Sequence, residues 1–178
     1  MLNNHITKPT GKNAPGVGFE LYACPIKDFT LIAEPPDTET TPGEDIVITD
    51  DHTFTGGKGF RKIYTTPRSG EVNHTQAGDI DSMGMNGEFN GFSPGINEAL
   101  FSLLSKDEDL IVLVKDSNCS TARYWQLGTS CLPAKIMGSE VKSGKAGSTD
   151  RKGTTLKVVS YADRILIYTG AVTLATQP

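Results

Sequence analysis

The side chains in this 178-residue chain best suited to chemistry are three histidines (His5, His52, His74), three cysteines (Cys24, Cys119, Cys131) and scattered carboxylates. Asp50-Asp51-His52 is the one local group with donor types for a metal ion, but its polar surroundings read as a solvated loop. Three cysteines without a CxxC pair give neither a disulfide framework nor a zinc site. A Cys119–Cys131 pair across a hairpin is the alternative to small buried thiols in a reducing cytoplasm, and the buried thiols are favoured. The segment Gly138–Lys145 ends in Gly-Lys, like a phosphate loop. Such a loop needs glycine where Ser139 stands and Ser or Thr where Ala146 stands. Asp79-x-Asp81 opens like a calcium loop, but Asn90 occupies the position of its closing glutamate. Neither GxSxG nor HExxH occurs. No catalytic, cofactor-binding or metal-binding residue is nominated, and the expectation is a protein that is not an enzyme.

The formal charge of −4 opposes tight generic binding to phosphate backbones, which relies on Lys and Arg displacing counterions. It suits a surface past which DNA slides without sticking. No apolar run reaches the roughly 20 residues a membrane helix needs. The opening MLNNHITKPTGKNAPG lacks the apolar centre of a signal peptide. The expectation is a protein made in a cytoplasm and soluble there at first, with residues 1–16 as a flexible arm and 17–178 as a single β-rich domain.

Nineteen glycines and ten prolines punctuate the chain, which implies short strands and many turns. Strands are predicted at Val17–Ala23, Phe29–Ala33 and Asp45–Thr49, with an acidic loop between the last two. Residues 28–51 hold eight acidic side chains and no Lys or Arg. Leu110–Asp116 is apolar nearly throughout, so both its faces should be covered. Ala122–Gly128 returns beside it. Cys131–Met137 should lie at a sheet edge because Pro133 cannot donate. Lys142, Lys145, Arg151 and Lys152 mark a mobile basic loop, and Thr155–Tyr161 with Arg164–Gly170 reads as a closing hairpin through Ala162-Asp163. One helix is expected over about 93–106, capped by Ser93, with Ile96, Ala99, Leu100, Leu103 and Leu104 as one apolar stripe.

Residues 59–92 are unusual. Two polar, glycine-rich arms of about 14 residues each would make a projecting hairpin roughly 45 Å long at 3.3 Å per residue. In the second arm, Asp81, Met83, Met85, Gly87, Phe89 and Gly91 form the more apolar face. Such a hairpin offers no core of its own, so its shelter is assigned to sister copies. Exposure logic nominates Tyr64, Arg68, Glu71, Asn73, His74, Asp79, Asp81, Met83, Met85, Glu88 and Phe89 as the oligomer interface.

The order of parts is informative. A polar hairpin enters the turn Phe92-Ser93-Pro94-Gly95. A helix follows, then a buried strand ending Lys115-Asp116, then strands carrying Gln126-Leu127-Gly128 and Leu132-Pro133-Ala134, and a last strand ending Tyr168-Thr169-Gly170. Over residues 59–170 this resembles the tail-tube-like virion structural proteins of tailed bacteriophages. The resemblance implies a β-sandwich or barrel with one flanking helix and a long hairpin. It further implies ring-forming homo-oligomers, six copies by family expectation, that build a tube for DNA ejection and meet other tail or neck proteins. The implied location is the virion tail, with host cytoplasm before assembly. Another neck, ring or capsid-associated protein is the near alternative. A β-sandwich binding carbohydrate or protein through an exposed Trp125 and Tyr124 is the distant one.

Overall fold

The computed structural model describes residues 17–79, 81–117, 122–145 and 151–176, with only the backbone of Phe19. The predicted arm at 1–16, His5, and Cys119 with its possible partnership lie outside the described residues. Strands form at Val17–Pro25 (β1), Phe29–Leu31 (β2), Val47–Ile48 (β3), Thr53–Phe54 (β4), Arg61–Tyr64 (β5), Glu71–Ala77 (β6) and Gly84–Pro94 (β7). They continue at Leu110–Asp116 (β8), Tyr124–Leu127 (β9), Lys135–Ile136 (β10), Glu140–Lys142 (β11), Gly153–Ala162 (β12) and Leu166–Tyr168 (β13). One α-helix, Glu98–Leu104 (α1), joins β7 to β8. The mainly β class with a single α-helix is as expected.

A six-stranded sheet runs β3-β13-β9-β8-β1-β5, and a second runs β10-β12-β7-β6 with β11 also on β12. The first sheet is buried on both faces, because its central strands are apolar at successive positions. On one face Leu21 and Ala23 of β1 join Leu110, Val112 and Val114 of β8, and meet Phe89, Leu156 and Val158 of the second sheet with Leu100 and Leu103 of α1. On the other, Tyr22, Cys24, Ile111, Leu113 and Tyr168, with Ile48 of β3 in the same sheet, lie beneath a layer that contributes Ala33 and Phe60. Each fully buried aliphatic or aromatic side chain contributes about 1.5–3 kcal/mol, so β8, apolar on both sides, binds the layers together.

Three expected elements differ. The helix begins later than Ser93, because Ser93 and Pro94 continue β7 opposite Thr154 and Gly153. Gly95, at φ 82°, turns the chain, and Asn97 caps the helix by accepting the Leu100 N–H at 3.1 Å. Ile96 and Ala99, expected on the apolar stripe, stay exposed. The strands β12 and β13 do not form a hairpin with each other. The turn at Ala162-Asp163 passes the chain between sheets, where β13 pairs antiparallel with β9 and parallel with β3. The strand expected over Cys131–Met137 shrinks to β10, which does lie at the end of its sheet.

The expected hairpin over 59–92 is also divided. Its first part is β5, which pairs with β1 in the six-stranded sheet from Glu20↔Tyr64 to Ala23↔Arg61. The hairpin proper is β6 with β7, over 71–94. The far side of β7 is filled by β12 over ten register pairs, from Gly153↔Pro94 to Ala162↔Met85. Shelter assigned to sister copies is therefore supplied to β5 and β7 inside the subunit. Of the two hairpin strands, β6 alone has an outer side with no neighbouring strand among the described residues.

Candidate assembly edge

The backbone of β6 can be read from its neighbours. Thr66 N–H donates to Phe92 O at 2.7 Å, and Phe92 N–H donates to Ser69 Oγ at 3.3 Å, both on the β6 side of β7. Gly95 N–H donates to Lys152 O on the opposite side. Even-numbered residues of β7 therefore turn their peptide groups toward β6, since direction alternates along a strand. These residues face Glu71, Asn73 and Thr75 in register. The peptide groups of Val72, His74 and Gln76 are thus left pointing at the open side, with no backbone partner there among the described residues.

Side chains follow the opposite alternation. Val72, His74 and Gln76 lie on the face turned to the first sheet, in line with Phe89, Gly87 and Met85. Glu71, Asn73 and Thr75 lie on the solvent face with Asn90, Glu88 and Asn86. His74 lies near Trp125, the ring centres 5.6 Å apart. Burial alone lowers the His74 pKa, so the ring is held neutral. The site needs glycine at 87, where a Cβ would come within 2.8 Å of a Leu127 methyl and 2.7 Å of Ser160 Oγ.

The nominated interface residues do not form one surface. Phe89 is 1% exposed and belongs to the core, where its ring also covers Gly91. Met85 is half-buried on the inner face. Tyr64 is exposed but sits on β5, in the other sheet. Arg68, at φ 64°, is in the connection from β5 to β6. Asp79 and Asp81 occupy the turn between β6 and β7, and Met83 follows it, 58% exposed. Glu88 is on the solvent face, its carboxyl held below the usual range by Asn90 and then by Lys157, 2.9 Å away. Glu71, Asn73 and His74 are the nominated residues that belong to the open strand itself. Val72 and Gln76 were missed, although the alternation in Glu-Val-Asn-His-Thr-Gln-Ala carries the signal.

An edge like this is commonly guarded by Lys, Pro or a bulge. Between Arg68 and Pro94 the sequence has no Lys, Arg or Pro, and β6 pairs with β7 without a register shift.

The groups with potential chemistry are engaged elsewhere. His52 is buried rather than part of a solvated loop. Its ring stacks on Tyr168 with centres 4.4 Å apart. Its Nδ1 accepts the Ala33 N–H at 3.0 Å, so its Nε2 carries the proton and donates to Gln126 Oε1 at 3.1 Å. Burial lowers its pKa, opposed by Gln126 and Asp51. With both nitrogens used, His52 serves the second core. Asp51 accepts the Ala171 N–H at 2.6 Å. Burial pushes the Cys24 thiol up to about 12. Cys131, expected to be buried, is exposed, and the adjacent Ser130 Oγ donates to Glu34 at 2.7 Å. Trp125 is half-buried against the first core. Among the described residues, no group of three or more His, Cys, Asp or Glu is placed to hold a metal ion, and no helix is long and apolar enough to cross a membrane.

No protein-family model, curated protein or solved structure matches the chain.

Proposed function

We propose that this chain is a structural subunit, not an enzyme, that assembles with copies of itself into rings by adding a neighbour's strand to the open edge of β6. The open edge carries the reading: three consecutive outward peptide pairs, no cation or proline to guard them, and a flat register. Two β6 edges facing each other would close as a dimer. A ring needs a heterologous contact, and the other end of the same sheet, β10 with β11, supplies a short edge for it. Each added hydrogen bond contributes only about 0.5–1.5 kcal/mol net, so closure of the ring, rather than any single contact, would hold the assembly.

The resemblance in element order to tailed-bacteriophage tail-tube-like proteins gives such rings a setting. In that setting, about six copies surround a passage for DNA in a virion tail or neck, after assembly in the host cytoplasm. The exposed face of the β6–β7–β12 sheet is polar, and the chain is net acidic. Both suit non-adhesive passage of DNA. The carbohydrate-module alternative depended on an exposed Trp125, and its packing beneath His74 favours the structural reading.

Native mass spectrometry and negative-stain imaging at increasing protein concentration test the proposal. Closed rings are expected from the wild type and dispersed subunits from Gln76→Pro, which removes one outward N–H. A wild type that stays monomeric at high concentration, or a Gln76→Pro protein that still forms rings, overturns it.

A further inference from the structure

His52, 2% exposed, is buried where the covering layer meets the six-stranded sheet. It directly precedes β4, which pairs with β2 in that layer. Phe29 and Phe60 approach its ring with centres 5.6 and 5.9 Å away, and Phe54 packs on both of them. Several contacts pass through this one residue. On the layer side, its Nδ1 accepts the Ala33 N–H. On the sheet side, its Nε2 donates to Gln126 of β9, and its ring stacks on Tyr168 of β13. Its backbone N–H donates to the Tyr168 hydroxyl at 3.3 Å, which donates in turn to Ala171 O at 2.7 Å. His52 thus ties the covering layer to two strands of the sheet.

This arrangement works only for a neutral ring. An imidazolium carries a proton on both nitrogens and accepts nothing. Protonation would therefore set an N–H at Nδ1 against the Ala33 N–H across 3.0 Å, losing the bond and leaving a buried amide unsatisfied. The neighbouring groups do not relieve that conflict. Asp51 is the carboxylate that acts on the ring, and its Oδ1 is already engaged by the Ala171 N–H. Tyr168 is the titratable group in contact, and burial keeps it a neutral phenol. The layer presents phenyl rings and β9 a neutral amide. We infer that His52 is an acid-sensitive latch, whose protonation releases the covering layer from β9 and β13 while the two main sheets stay packed on each other. The first core lies on the opposite face of the six-stranded sheet and shares none of these contacts. Release uncovers Cys24, Ile111 and Leu113, so acid would turn a sealed apolar face into one open to apolar partners. The latch is independent of the β6 edge, which belongs to the other sheet.

Hydrogen exchange at pH 7 and pH 5, corrected for intrinsic rates and read by mass spectrometry, tests the latch segment by segment. Amides of residues 29–33 and 53–60 should lose protection at least about 10-fold at pH 5, because a released histidine near 6.5 takes up the proton. Those of β7 and β12 should change less than about 3-fold over the same interval. Cys24, mapped by labelling with 4,4′-dithiodipyridine, should become reactive as the layer opens. His52→Gln supplies an amide that can accept from Ala33 and donate to Gln126 without titrating, so the acid response should disappear. His74→Gln should retain it, because His74 lies on the other side of the sheet beside Trp125. If His52→Gln fails to fold, an NMR titration of the wild type decides instead. The His52 ring and the Ala33 amide should then shift over one pH interval, and separate intervals overturn the inference. So do unchanged protection of residues 29–33 at pH 5, an equal loss in β7 and β12, or an acid response that survives His52→Gln.

Discussion

Two strands that follow one another in the chain, β5 and β6, both end as the outermost strand of a sheet, and they are protected in opposite ways. The strand β5 is four residues long and carries Arg61 and Lys62. Lys62 is tied to Glu20 on the adjacent strand, and residues of α1 line a groove beside it. The strand β6 is seven residues long, carries one charge at its first position, and has no strand paired on its outer side among the described residues. Length, cations and a covering helix close an edge to further pairing, and β6 lacks all three. The contrast concerns the outer side, because each strand is paired along its whole length with its inner neighbour.

The widest test of that contrast is at the strand β6 leans on. Phe89→Ala should cost about 4 kcal/mol of folding stability, the usual loss for a core aromatic, measured by urea unfolding. A loss under 1 kcal/mol would mean that β7 is not the internal strand on which the comparison depends. Next come two proline substitutions one residue apart. Thr75→Pro removes a ladder bond to β7 and should cost about 3 kcal/mol. Gln76→Pro, whose N–H points outward, should leave the thermal midpoint nearly unchanged while abolishing rings. Equal destabilisation by the two would erase the distinction between inner and outer peptide groups.

Glu20 sharpens the guarded side. Hydrogen bonds from Lys62 lead a set of donors, with Tyr22 and Lys115, that hold its carboxyl down at about 2 from an ordinary 4.5. A depressed acid stabilises the fold above the unfolded value, and that contribution is lost as pH falls from about 4.5 toward 2. Allowing for solvent around both lysines, Glu20→Gln should cost about 2 kcal/mol at pH 7 and flatten acid unfolding in that window. A variant as pH-sensitive as wild type would remove Glu20 from the account. The smallest effect is at His74. A lowered histidine pKa means the unfolded chain takes up protons that the folded chain refuses, so stability falls as pH drops below about 6.5. His74→Gln should remove a share under about 1 kcal/mol by pH 5.5, leaving the share of His52, whose pKa is also lowered by burial. Unfolding midpoints at pH 7 and 5.5 would show it, and an unchanged slope would mean His74 already titrates freely.

The sequence was most informative where one residue type dominates. Leu110–Val114 announced a strand covered on both faces, and Pro133 an edge. The alternation through Met85, Gly87, Phe89 and Gly91 identified the inner face of β7. It could not identify the partner strand. Glycine and asparagine leave little contrast in apolar character, so β7 looked solvent-dependent until β12 was seen beside it. Ser93 misled as a cap because its own backbone is committed to a strand, while Asn97, four residues on, has the free geometry. His52 looked solvated because its partners, Ala33, Gln126 and Tyr168, come from three distant segments. The candidate edge was half legible: composition singled out the region, but which peptide groups face outward depends on register.

The parallel pairing of β13 with β3, Ile167↔Val47 and Tyr168↔Ile48, sets an order of events during synthesis. The covering layer made early in translation cannot close over Ile111 and Leu113 until the last strand emerges from the ribosome some 120 residues later. Until then the apolar underside of the six-stranded sheet is open to chaperones and to neighbouring nascent chains. Premature release would therefore leave a chain whose first core can form while the second stays unsealed.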